Sequence, residues 1–357
     1  MPVFNGGRFL IDAVASIIEQ SCSDWELICI NDGSTDHSPA ILKCFAELDQ
    51  RIRIVNQANM GIVAALNGGC AIARAPLICR MDCDDIALPH RLASQLAFMR
   101  NNPICVVVGG AILEIDRDGD PLGVSRLAAN HDEILDQLLH RRTGHFHPAT
   151  MIRASALEAV AGYRRKYQWV EDHDLWLRLS QRGTLANLPE TVLCYRQHAN
   201  SICWQRSQQQ RDLMDQLMRD AYAARDLELP PELVAHRGGA RAPAGPGKWL
   251  RSAAKGGYPR TACKHWQALL KSADPWTYKA RMTLEATCRL AASTGRQWLT
   301  RSTRLSAPSF EDWHLRINAL LGEVTALGGE ALADTTDDVP NKVANSIARK
   351  GSRTRAA

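Results

Sequence analysis

The sequence predicts an α/β fold of the doubly wound kind: a mostly parallel sheet with helices on both faces, followed by a helical C-terminal region. Three observations predict it. Short apolar runs alternate with helix-period patterns through about residue 200. Acidic, turn-forming residues close those runs, at 31–36 and 82–85. From about residue 205 the pattern becomes polar and helical.

The elements follow in order. Phe9, Leu10, Ala13, Val14, Ile17 and Ile18 repeat at helical spacing. Leu27 to Ile30 reads as a buried strand ending in Asn31-Asp32-Gly33-Ser34-Thr35-Asp36, a turn able to cap a helix over 39–48. Residues 52–55 form a second strand, 62–73 a helix and 77–81 a third strand, which runs into Asp82-Cys83-Asp84-Asp85. A helix over 88–99 and a strand over 105–110 come next. Beyond 120 the rhythm changes, with strands expected at 147–153 and 191–196 and helices at 171–181 and 205–225. Ligands of such sheets sit beyond the carboxyl ends of the strands, where both acidic turns fall. The partition is a sheet domain at 1–204, a helical extension at 205–235, a Gly/Ala/Pro-rich linker at 236–247, a basic Trp-containing helical region at 248–330 and a disordered tail at 331–357.

Composition narrows the classes. The 357 residues are 45% apolar, 23% charged and 6% aromatic. That supports a sizeable core and excludes general disorder, a rod or a small disulfide scaffold. No apolar run approaches the roughly 20 residues of a membrane span. Met1 to Arg8 show no basic segment followed by an apolar one, so no secretion signal is expected. Eleven cysteines without a C-x-x-C pair read as thiols in a reducing compartment, which makes the cytosol, or a membrane face toward it, the expected address. Net charge is +5, but residues 237–304 hold fourteen Lys/Arg against Asp274 and Glu285, so the rest is acidic.

Four constellations can carry chemistry. Asp82-x-Asp84-Asp85 can share a hard divalent cation, or form a solvated turn that caps a helix. Asp32, just past a strand, can accept from a base or ribose, or serve as a turn residue. Glu171-Asp172-His173-Asp174 opens a helix, where the dipole favours acids; one of them can act as a general base. Arg196 and His198, ending the last strand, can reach a diphosphate or metal. His145 and His147 lack a third ligand nearby and read as structural.

The order of these motifs resembles family 2 glycosyltransferases of the GT-A fold, over residues 1 to about 203. Met1-Pro2-Val3-Phe4-Asn5-Gly6 resembles the end of that family's first strand. Trp25 to Asp36 is similar to its second strand and nucleotide-binding turn, and Asn59-Met60-Gly61-Ile62 to Asn67 to the loop and helix that follow. Arg80-Met81-Asp82-Cys83-Asp84-Asp85 is similar to its D-x-D element, and Glu171 to Leu179 to its E-D helix. The resemblance implies an inverting transferase that moves a sugar from a UDP- or GDP-type nucleotide diphosphate sugar to a glycan or lipid-linked hydroxyl, with Mg²⁺ or Mn²⁺. It implies donor contacts from Pro2, Val3, Asn5, Asp32, Gly61 and Asp82, a metal ligand in Asp84 and a base in Asp172, with Glu171, Asp85, His198 and Arg196 in supporting roles. Most of the family's first strand is expected to be missing here. Surface polysaccharide synthesis is the expected setting. A related nucleotidyltransferase, or a non-catalytic nucleotide- or membrane-binding protein that keeps the fold, are the alternatives.

Residues 237–304 add Trp249, Trp266, Trp276 and Trp298 to their basic charge. That suits peripheral contact with anionic lipid on the inner membrane face, and equally an ordinary helical subdomain. No nucleic acid is expected, since no binding module is present.

Overall fold

The computed structural model describes residues 1–7, 9–198, 207–234 and 245–299, with backbone only at 207 and 291–299. The first half of the sheet domain is β1 (Pro2–Val3), α1 (Phe9–Ile18), β2 (Leu27–Asp32), α2 (Ser38–Leu48), β3 (Ile52–Gln57) and α3 (Ile62–Ala71). Its three strands are parallel, in the order β1-β2-β3. All six β2 positions are buried, as an unbroken apolar run requires when helices cover both faces. Alternation sends Leu27 and Cys29 into one core with Leu10, Val14 and Leu42, and Ile28 and Ile30 into another with Ala65. β1 is two residues long, and the Met1 amino group extends its pairing by donating to Ile28 O at 2.8 Å.

The second half is β4 (Leu77–Cys79), β5 (Ile86–Ala87), α4 (Arg91–Asn101), β6 (Cys105–Ile115), β7 (Pro121–Ser125), α5 (His131–Leu139), β8 (Met151–Arg153), α6 (Ala154–Ala159), α7 (Glu171–Leu179) and β9 (Thr184–Arg196). The strand order is β4-β8-β6-β9-β5, with β7 on β6. In this half the strand pairing is mixed. Only β6 and β9 run parallel, and the other pairings are antiparallel. Of these, β6 and β7 are joined by a short turn, which fits an antiparallel pair, whereas a parallel pair needs a long crossover, and α5 to α7 supply one between β6 and β9. The strand expected at 147–153 shrinks to β8, because His147–Ala149 is a 3₁₀ turn around Pro148, which has no N–H for a ladder.

α8 (Ser207–Ala223) is no free extension. Leu217 and Ala221 pack into the main core with Trp176, Leu175 and Tyr167. α9 (Pro246–Gly256), α10 (Pro259–Lys271) and α11 (Trp276–Leu299) form a layer whose core, Leu250, Ala253, Leu269 and Met282, closes on Leu122 of β7. α9 begins with Pro246, inside the stretch read as linker, since proline suits a first helical turn. Trp249 packs against His265, Trp266 is about a third exposed and Trp276 is 72% exposed. No described helix is long and apolar enough to cross a membrane. Residues 300–357, including the expected tail, and the Trp298 side chain lie outside what is described.

Candidate active site

The site grows from the ends of β1, β2 and β4. After β1, Asn5 adopts φ +51° and ties two loops together. Its Oδ1 accepts from Thr35 N at 2.9 Å, and its N donates to Ser34 Oγ at 3.0 Å. Pro2 and Val3 are buried within β1 itself. Asp32 is buried too, and its carboxylate is fully engaged. It accepts from Gln57 Nε2 at 2.7 Å, Met60 N at 2.8 Å and Gly61 N at 2.9 Å. Asp32 therefore anchors the loop before α3. Gly61 sits at φ +87°, and a Cβ there would stand 3.1 Å from Gln168 Nε2, so this loop abuts the turn leading into α7. Gly33, at φ +73°, is required for the same closure: a Cβ there would lie 2.8 Å from Asn59 N.

Beyond β4 the acidic turn brings Asp82, Asp84 and Asp85 together, with one carboxylate oxygen from each within 4.8 Å of the others. Asp82 pairs with buried Arg80. Asp84 Oδ2 takes His198 Nε2 at 2.8 Å. Asp85 Oδ1 accepts from Arg196 N at 2.9 Å, while its Oδ2 is buried with no partner among the described residues. Burial pushes the Asp82 carboxyl up, with Arg80 opposing and Asp84 adding to the rise. Burial, then the charges of Asp84 and Asp82, push Asp85 up further. Three crowded carboxylates and an orphaned buried oxygen suit a hard divalent cation, whose charge would relieve both effects.

α7 supplies the second acidic group. Glu171 is buried and Asp172 half-buried, with Asp172 Oδ1 accepting from His173 N at 2.8 Å. Burial, then the Asp172 charge, push the Glu171 carboxyl up to about 7, and Arg80 pulls the other way. Arg80 therefore sits within electrostatic reach of both the D-x-D turn and α7. Trp169, just before α7, holds φ +87°, an unusual state for a bulky residue, and donates its N–H to Glu171. No motif in the sequence signalled it.

Other groups fall elsewhere. His145 bonds Asn187 at 2.8 Å and His147 bonds Tyr163 at 2.9 Å, both against Trp176. Burial lowers both imidazoles, His145 to about 4, so they stand neutral in the core. His173 Nε2 bonds Leu138 O at 2.9 Å. Arg196 is 3% exposed, and its guanidinium bonds protein groups on all three nitrogens, so it does not extend to a diphosphate.

A family model for glycosyl transferase family 2 matches residues 1–161. EpsE of Bacillus subtilis is 33% identical over 207 residues, covering 57% of this chain and 73% of its own. The O-antigen biosynthesis glycosyltransferase WbnJ of Escherichia coli is 32% identical over 205 residues, covering 56% and 79%. The amylovoran biosynthesis glycosyltransferase AmsE of Erwinia amylovora is 27% identical over 195 residues, covering 54% and 72%. With the mixed α/β fold and the ordered loops at its strand ends, these matches establish that the chain belongs to glycosyltransferase family 2.

Proposed function

We propose that this glycosyltransferase builds a surface polysaccharide or cell-envelope glycan by single, inverting transfer from a UDP- or GDP-type sugar. The observation that carries the reading is the acidic turn, where one carboxylate oxygen from each of Asp82, Asp84 and Asp85 lies within 4.8 Å of the others, with Arg80 paired to Asp82. Asp84, with Asp82 and Asp85, would hold Mg²⁺ or Mn²⁺, which neutralises charge on the departing diphosphate. Asp172 is more exposed than Glu171 and is the base. It takes the acceptor hydroxyl proton as that oxygen bonds the anomeric carbon. The bond from that carbon to the diphosphate oxygen breaks, and its electron pair leaves with the nucleoside diphosphate. Burial, then the Asp172 charge, push the Glu171 carboxyl up to about 7, which favours its neutral form and so lowers the repulsion beside Asp172.

The names of WbnJ and AmsE support the polysaccharide setting. A lipid-linked acceptor suits Trp276 and Leu284, exposed at 72% and 67% on α11, with Lys271 and Arg281 exposed nearby, as a peripheral contact on the inner membrane face. The test is a panel of nucleotide sugars with Mn²⁺ and a glycan acceptor, followed by release of nucleoside diphosphate. Turnover with one sugar, lost in Asp172→Asn, supports the roles; equal rates in variant and wild type overturn them.

A further inference from the structure

Arg196 makes contacts that a merely buried arginine does not need. Its Nε donates to Asp84 O at 2.9 Å, its Nη1 to Arg117 O at 3.0 Å and its Nη2 to Asp12 Oδ2 at 3.1 Å. Its guanidinium lies 4.7 Å from the Phe9 ring centroid, and its own N–H holds Asp85 Oδ1. Two residues on, His198 takes the Asp84 carboxylate. The end of β9 therefore grips the D-x-D turn at three points: the Asp84 carbonyl, the Asp84 carboxylate and the Asp85 carboxylate.

The other end of that grip is set from the C-terminal layer. Arg117 lies in a tight turn, Asp116-Arg117-Asp118-Gly119-Asp120, in which Asp116 Oδ1 accepts from the N–H groups of Asp118 and Asp120, each at 2.9 Å. Lys264 of α10 closes the turn. Its Nζ lies 2.7 Å from Asp116 and 3.0 Å from Asp118, and it also bonds Asp120. His265 Nε2 lies 2.9 Å from Asp116.

We propose that Arg196 is a positioning residue for the metal-binding turn, and that the C-terminal helical layer fixes it by clamping the 116–120 turn through Lys264. The inference rests on the metal role given to Asp84 above. It gives residues 245–299, beyond the reach of the family model, a part in the reaction. A planar fork with three separate acceptors fixes a turn in a way that a lysine, a point charge on a flexible stem, does not. Outer partners of metal ligands typically govern affinity by about 10–100-fold.

The experiment titrates the full-length, metal-free protein with Mn²⁺ alone by calorimetry, beside melting temperatures, for wild type, Arg196→Lys, Asp12→Asn and Lys264→Met. Arg196→Lys should weaken Mn²⁺ about tenfold or more, and Lys264→Met should weaken it in the same direction by about a few fold. In turnover, the apparent KM for Mn²⁺ should rise more than kcat falls. Asp12→Asn, which leaves the bond to Asp84 O in place, keeps the test open if Arg196→Lys fails to fold, and should weaken Mn²⁺ less. Folded variants that melt lower yet bind Mn²⁺ as wild type does would reduce Arg196 to a structural role. A wild type that binds no Mn²⁺ would instead remove the metal reading beneath the proposal.

Discussion

Two acidic turns lie at the two ends of one arginine, and they differ in what neutralises them. The 82–85 turn keeps three carboxylates close, draws on Arg80 and His198 at its edges and leaves Asp85 Oδ2 buried without a partner among the described residues. The 116–120 turn also holds three aspartates, yet Lys264 and His265 reach it from α10. Hydrogen bonds from His265 and Lys264 outweigh the cost of burial and hold the Asp116 carboxyl well below the usual range, whereas burial and crowding raise Asp82 and Asp85. An aspartate-rich turn is therefore not a cation site by composition. What decides is whether the fold itself delivers the compensating charge.

The largest effect should come from emptying the first turn. Asp84→Ala is expected to cost more than any other single change, at least about 10³-fold in kcat, because the diphosphate would then depart without its cation. Asp172→Asn should cost about 10²–10⁴-fold in kcat with little change in donor affinity. A donor Kd that moves with kcat would show that Asp172 binds rather than abstracts a proton. The second turn should respond in stability. Lys264→Met leaves buried Asp116 with His265 and the backbone N–H groups of Asp118 and Asp120 but without its lysine, and since Lys264 is 37% exposed, solvent screens part of the pair. We expect a loss of about 1–2 kcal/mol in chemical denaturation. A Tm equal to wild type would contradict the clamp.

The smallest effect concerns pH. Glu171 has its folded carboxyl raised to about 7, so its neutral form is favoured by folding. Its contribution is complete below the ordinary glutamate range, near pH 4.5, and is lost as pH rises toward 7. Glu171→Gln should therefore flatten the fall in Tm between pH 5 and pH 8, measured without metal. Asp116 has the opposite sign. Its contribution is present above the carboxylate range and is lost as pH falls below it. Identical wild-type and Glu171→Gln profiles would mean that Glu171 is charged throughout.

Legibility in the sequence followed range. Helices and strands of the first half were readable because Leu10, Val14 and Ile17, or Leu27 to Ile30, declare their periods within a few residues. The D-x-D turn and the E-D helix were readable because each is a contiguous motif. The antiparallel pairings of the second sheet were not, since β5 is two residues and β8 three, too short to show any period. Asp32 reads in the sequence as a base or ribose contact or as a turn residue, and which partners hold its carboxylate depends on where the 57–61 loop folds back. Arg196 was flagged for the wrong reach, because its partners stand at positions 12, 84 and 117. The Asp116 turn went unremarked, since its cation lies in α10, 148 residues along the chain.

The most direct test of the account is calorimetric titration of UDP and GDP into the metal-free protein, with and without Mn²⁺, in wild type and Asp84→Ala. The account predicts that one nucleotide binds the wild type much more tightly with Mn²⁺ present, and that this gain disappears in Asp84→Ala. Binding of either nucleotide that is equal in the two proteins and indifferent to Mn²⁺ would contradict it.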